Sequence, residues 1–96
     1  MDDIKNKTIR WECNNWFKRD DNFIQVVTPI GNKIVLNKKL SYIWTSIDYI
    51  ITTDELWEKV KGEILEDEFI NGLKEINSYK LISILDKEDE FDSIFD

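Results

Sequence analysis

A chain of 96 residues with a net charge of −7, no histidine and a single cysteine is one small acidic domain with little catalytic equipment. Without histidine it lacks the commonest general base and metal ligand, so Cys13 can enter neither a thiol–imidazole pair nor a zinc site. A lone cysteine also permits no internal disulfide, which fits a reducing compartment.

The remaining exclusions come from particular stretches. The three glycines, at 31, 62 and 72, form no phosphate-cradling loop. No apolar run approaches the roughly 20 residues of a membrane helix, and Met1-Asp-Asp-Ile-Lys5 lacks a signal-type apolar region, so a cytoplasmic location is expected. Charge is uneven: residues 1–40 carry +3, residues 41–85 carry −5, and residues 86–96 another −5. That is far from the basic footprint of a duplex-DNA binder.

In chain order, Thr8 to Cys13 alternates apolar and polar residues, with Ile9, Trp11 and Cys13 on one face, and predicts a first strand. Asn14-Asn15 breaks it, and Trp16-Phe17 either continues it or packs beneath it. Lys18 to Asn22 is a polar turn. Phe23 to Thr28 is β-branched and aromatic, a second strand. Pro29-Ile-Gly-Asn32 is a hairpin loop, and Lys33-Ile-Val-Leu36 a third strand. These short connections predict a meander of three antiparallel strands.

Asn37 is placed to cap a first helix whose stripe is Leu40, Ile43, Trp44 and Ile47, ending near Asp48 or Tyr49. Ile50-Ile51 reads as a buried hinge. Thr52 and Glu55 have capping-box spacing for a second helix with Leu56, Trp57, Val60 and Ile64 inward. Glu66, Asp67 and Glu68 complement the dipole at the start of a third helix, whose apolar face is Phe69, Ile70, Leu73 and Ile76. Gly72 inside that helix costs about 1 kcal/mol relative to alanine, which points to close packing or fraying there. Tyr79 to Leu85 reads as a final strand or wing. From Asp86 onward the composition predicts a disordered acidic tail, and the stretch lacks the Asp-x-Asp-x-Asp-Gly pattern of a calcium loop.

The expected fold is therefore α+β, a winged helix-turn-helix: a three-stranded antiparallel sheet, three helices and a short β wing over residues 1–85, then the tail 86–96. The outer strand of a meander leaves N–H and C=O groups unpaired, and an extended peptide can satisfy them by strand addition. On this reading the third strand, Lys33 to Leu36, is the open edge, with Ile34 and Leu36 turned toward the helices.

Leu36-Asn37, Ile43-Trp44, Asp48, Thr53-x-Glu55-Leu56, Phe69-Ile70-x-x-Leu73 and Leu81-Ile82 together resemble the PqqD-like family. These are the leader-recognition domains (RiPP recognition elements) of pathways that make and modify ribosomal peptides. The resemblance spans residues 23–85. It departs where the family often has glycine after the first helix's Asp, because this chain has Asp48-Tyr49.

What the resemblance implies is a non-catalytic, cofactor-free module. It would capture the leader of a precursor peptide and deliver it to a modifying enzyme such as a radical SAM enzyme, a cyclase or a leader protease. The leader would add to the strand Lys33, Ile34, Val35 and Leu36, against a helical wall drawn from Phe69, Ile70, Leu73, Lys74 and Asn77. Neither nucleic acid nor membrane is an expected partner, while a free edge could also pair two copies. The competing readings are a winged-helix transcription regulator reading DNA with its third helix, and an acidic interaction or inhibitory domain using Phe91, Ile94 and Phe95 of the tail.

Overall fold

The computed structural model describes residues 6–86. The elements are β1 (Lys7–Trp11), β2 (Trp16–Lys18), β3 (Ile24–Val27), β4 (Lys33–Leu36), α1 (Lys38–Ile47), β5 (Ile50–Thr52), α2 (Thr53–Val60), α3 (Glu66–Ser78) and β6 (Ile82–Asp86). The architecture is α+β. The described residues form two small antiparallel sheets, ordered β2-β3-β4 and β5-β1-β6, around three helices. No helix among them is long and apolar enough to cross a membrane.

The meander is present, but its first member differs from the expectation. Trp16–Lys18 supplies it, with Trp16 opposite Val26 and Lys18 opposite Ile24. The strand expected in that place, β1, instead forms the centre of the other sheet, between β5 and β6. Thr8 lies opposite Thr52 on one side and Leu85 on the other. A central position pairs both edges of β1, where an outer place in the meander would pair one. Both partners lie 40 or more residues away in sequence, so local pattern carries no sign of them.

Helix starts follow the side-chain chemistry read from the sequence. Asn37 Oδ1 accepts the Leu40 N–H at 2.9 Å and starts α1. Thr52 Oγ1 accepts the Glu55 N–H at 3.2 Å and starts α2. Helix α1 ends on Asp48 in the left-handed region, and Tyr49 follows at φ 81°. These two positive φ values turn the chain into β5, so Ile50-Ile51 is a strand rather than a hinge, with Ile51 buried and Ile50 exposed. Helix α2 stops at Val60, and Ile64 is buried from the connection rather than from a helical stripe. Strand β6 takes in Asp86, one residue into the expected tail, and the rest of that tail lies outside the described residues.

One apolar core joins the layers. Ile9 of β1, Ile24 and Val26 of β3, Leu36 of β4, Ile43, Trp44 and Ile47 of α1, Leu56 of α2, and Phe69, Leu73 and Ile76 of α3 are all essentially inaccessible. A tryptophan cluster ties the two sheets to α1. Trp11 stacks on Trp44 with centroids 5.0 Å apart, and Trp16 meets Trp11 edge-on at 5.2 Å. The Trp11 indole N–H donates to the Trp44 carbonyl at 3.2 Å. Aromatic pairs of this kind are worth about 0.5–1.5 kcal/mol each beyond the area they bury.

Candidate functional site

Among the described residues, strand β4 is the outer strand of its sheet, bonded to β3 on one side only. Which of its backbone groups face outward follows from the ladder. The Thr28 N–H donates to the Asn32 carbonyl at 2.8 Å, so the closely bonded pairs fall at 28/32, 26/34 and 24/36. The intervening residues, Lys33 and Val35, turn their N–H and C=O toward the open edge. The same alternation sends Val27 to the opposite side, where its N–H donates to the Asn15 carbonyl at 2.8 Å. The face offered by β4 is therefore two donors and two acceptors, on Lys33 and Val35.

The end of the strand is held by an unexpected device. Ser41 of α1 is buried, and its hydroxyl sits inside the β3–β4 ladder: Oγ accepts the Ile24 N–H and donates to the Leu36 carbonyl, both at 2.9 Å. The 24/36 pair is bridged through a side chain, which fixes α1 against the sheet at the point where β4 ends. Sequence reasoning missed Ser41. Its one signal is a small hydroxyl residue inside the apolar stripe of α1, between Leu40 and Ile43.

Side chains of β4 alternate as expected. Ile34 is half-buried and Leu36 fully buried on the helix side, while Lys33 is exposed and Val35 is 44% exposed on the other. Helix α3 packs on α1, the helix that follows β4. Its start is tied to the start of α1 by an ion pair between Lys39 and Glu68. Its end reaches the other end of β4. There a surface cavity of about 530 Å³ is lined by Cys13, Pro29, Ile30, Ile34, Tyr79 and Lys80, among others. The Lys39–Glu68 pair thus stands just past one end of β4, and the cavity stands at Ile34. Helices α1 and α3 approach most closely at Gly72, where an added Cβ would lie 2.8 Å from Ile43 Cδ1.

This geometry redistributes the helical residues expected to form the wall. Phe69 and Leu73 are fully buried, and Phe69 packs on Trp57 with centroids 5.2 Å apart, so both belong to the core. Ile70, Lys74 and Asn77 share one flank at spacings of four and three residues. Glu68, Glu75 and Tyr79 share the opposite flank, at spacings of seven and four. The second flank is the one turned toward the start of α1 and the cavity, as the contact of Glu68 with Lys39 and of Tyr79 with the cavity shows. Ile70, Lys74 and Asn77 therefore lie on the far side of α3, with Ile70 half-buried against the core. At 100° per residue, either side of an apolar stripe looks equally available in sequence.

Charges around β4 and the cavity are partly neutralised. Glu68 is paired with Lys39, and the Glu75 carboxylate accepts the Tyr79 hydroxyl at 3.1 Å, which raises the Tyr79 pKa above the ordinary phenol value. Lys33 and Lys80 have no ion-pair partner among the described residues. At the cavity rim, Glu12 accepts hydrogen bonds from the Ser83 hydroxyl and, at 3.1 Å, from Arg10. These bonds, Ser83 first, hold its pKa below the usual carboxylate value. Burial and the neighbouring Glu12 charge push the Cys13 thiol up, so it stays protonated at neutral pH.

Two other depressions are of similar volume. One is walled by the charged turn Lys18 to Asp21 with Phe17 and Gln25, the other by Lys38, Lys39, Tyr42, Glu63 and Ile64. Neither combines an open four-residue strand with an apolar end cavity. No protein-family model matches the chain, and no curated protein or solved structure is significantly similar to it.

Proposed function

We propose that this domain is a non-catalytic peptide-binding module that takes up an extended segment by strand addition at β4. The segment is the leader of a ribosomal precursor peptide, presented to a modifying enzyme. The observation that carries the reading is the edge of β4 left open among the described residues, with the N–H and C=O of Lys33 and Val35 turned outward and a cavity lined in part by Ile30 and Ile34 close by. Backbone pairing gives affinity with little demand on sequence, and the cavity at Ile34 gives selectivity by taking one apolar side chain.

The finer fold reading goes with it. The order α1, β5, α2, α3, β6 supports reading the fold as a winged helix-turn-helix, in which β1 would fill the middle of the wing from the other end of the chain. One of the two departures from the PqqD-like pattern, the other being the acidic tail, supports the resemblance. Tyr49 stands where that family often has glycine, and its φ of 81° is a conformation glycine favours. Helix α3 carries Glu66, Asp67, Glu68 and Glu75 against Lys74 alone, which opposes docking on phosphates and supports a peptide partner over a DNA one.

The experiment is an NMR titration with the leader encoded by a precursor gene beside this one. Saturable binding with shifts at Lys33 to Leu36 and at Tyr79 is expected. Absence of saturable binding, or shifts confined to another surface, overturns the proposal.

A further inference from the structure

The two faces of β4 make different demands on a strand laid beside it. Lys33 and Val35 project from the outer face of the β2-β3-β4 sheet, and Ile34 from the face toward the helices. Register sets two rows on the outer face, Phe17, Gln25 and Val35 in one and Val27 and Lys33 in the other. Phe17 is 50% exposed and Val35 44%. Lys33 is the one charged side chain of these five, it is exposed, and it has no ion-pair partner among the described residues. On the other face, the cavity that Ile34 lines carries Glu12 and Lys80, one charge of each sign, together with Cys13, Pro29 and Ile30. Glu12 is already bonded to Ser83 and Arg10.

An added strand places one residue opposite Ile34 and that residue's two neighbours opposite Lys33 and Val35. Opposed residues share a face, with Cβ atoms about 4.5–5.5 Å apart. The residue opposite Ile34 therefore stands at the wall of the cavity. Balanced charges there favour an uncharged side chain, and a large apolar one would cover Ile30, which is 84% exposed. The residue opposite Val35 extends the apolar row begun by Phe17. The residue opposite Lys33 meets the lone positive charge of this face in a chain of net charge −7, which favours an acid. A slip of one residue would turn that acid to the other face, so Lys33 also fixes the register.

We infer that the peptide taken by β4 carries an acid opposite Lys33, a large apolar residue opposite Ile34 and a second apolar residue opposite Val35. This rests on the reading of β4 as a peptide site. Antiparallel pairing, the sense used throughout this sheet and slightly the stronger per residue, makes the order apolar, apolar, acid from N- to C-terminus.

The probe is the capped peptide Ser-Thr-Val-Leu-Glu-Thr-Ser, titrated into the full chain and followed by amide shifts at Lys33 to Leu36. Replacing its Leu with Ser should weaken binding about tenfold or more, through apolar area lost at the cavity. Replacing its Glu with Lys should weaken binding about fivefold, the scale of one exposed ion pair. In the Lys33→Glu chain that preference should reverse, with the Lys-bearing peptide binding better than its parent. Shifts at β4 with the same charge preference in both chains, or with no discrimination between Leu and Ser, overturn the inference and leave the peptide-site reading standing. A precursor leader that binds β4 where the parent peptide does not has the same consequence. Failure of both leader and peptide to shift β4 removes the two together.

Discussion

Replacing Ser41 with alanine tests how β4 is held. The substitution removes one oxygen and strands two buried backbone groups, the Ile24 N–H and the Leu36 C=O, each now 2.9 Å from the hydroxyl. An unsatisfied buried backbone group costs about 1–3 kcal/mol. Partial closure of the ladder would recover some of that, so Ser41→Ala should destabilise by about 2–4 kcal/mol. Against the 5–15 kcal/mol total of a domain this size, that is a large fraction. It corresponds to a fall in Tm of roughly 10–25 °C for a chain of this length. Urea unfolding followed by tryptophan fluorescence gives the free energy, and amide exchange should show selective loss of protection at Ile24. Thr45→Ala, which removes hydroxyl bonds to the Ser41 and Tyr42 carbonyls from an exposed position, should cost about 0.5 kcal/mol or less. A Ser41→Ala loss no larger than that of Thr45→Ala would refute the bridging role.

Three other perturbations probe separate parts of the structure. Gly72→Val should destabilise by about 1–3 kcal/mol in denaturant titration, because a Cβ there already meets Ile43 Cδ1 at 2.8 Å and Leu40 Cδ2 at 3.2 Å. Tyr49→Gly should raise stability by up to about 1 kcal/mol, since relief of a positive φ worth about 1–2 kcal/mol outweighs the entropy glycine adds to the unfolded chain. The depressed pKa of Glu12 stabilises the fold fully above the ordinary glutamate range, and that contribution is lost as pH falls through the lowered folded value. Acid titration of stability should accordingly show a shallower decline for Glu12→Gln than for the native chain.

Much of the local structure was legible because its causes are local. Asn37 and Thr52 announce their helices by the hydrogen bonds their side chains make three residues on, and Lys33 to Leu36 reads as an outer strand from the hairpin before it and the cap after it. What escaped depends on distant packing. The place of β1 between β5 and β6 is decided by residues 50–52 and 82–86, which leave no mark on residues 7–11 themselves. The placing of the helical flanks escaped for a related reason. The choice between the Ile70–Lys74–Asn77 flank and the Glu68–Glu75–Tyr79 flank is made by how α3 seats on α1 through Gly72. In sequence that residue shows only that something packs closely.

Val35→Pro bears most directly on strand addition. The ladder turns the Val35 N–H toward the open edge, so proline there removes no bond to β3, and an outer strand tolerates it. It does remove a donor from the docking edge and puts a ring in the path of an incoming strand. Binding of the precursor leader to folded Val35→Pro, measured by calorimetry, should weaken about tenfold or more, while Val35→Thr binds as the native chain does. A folded Val35→Pro chain that binds the leader with native affinity would contradict docking at β4.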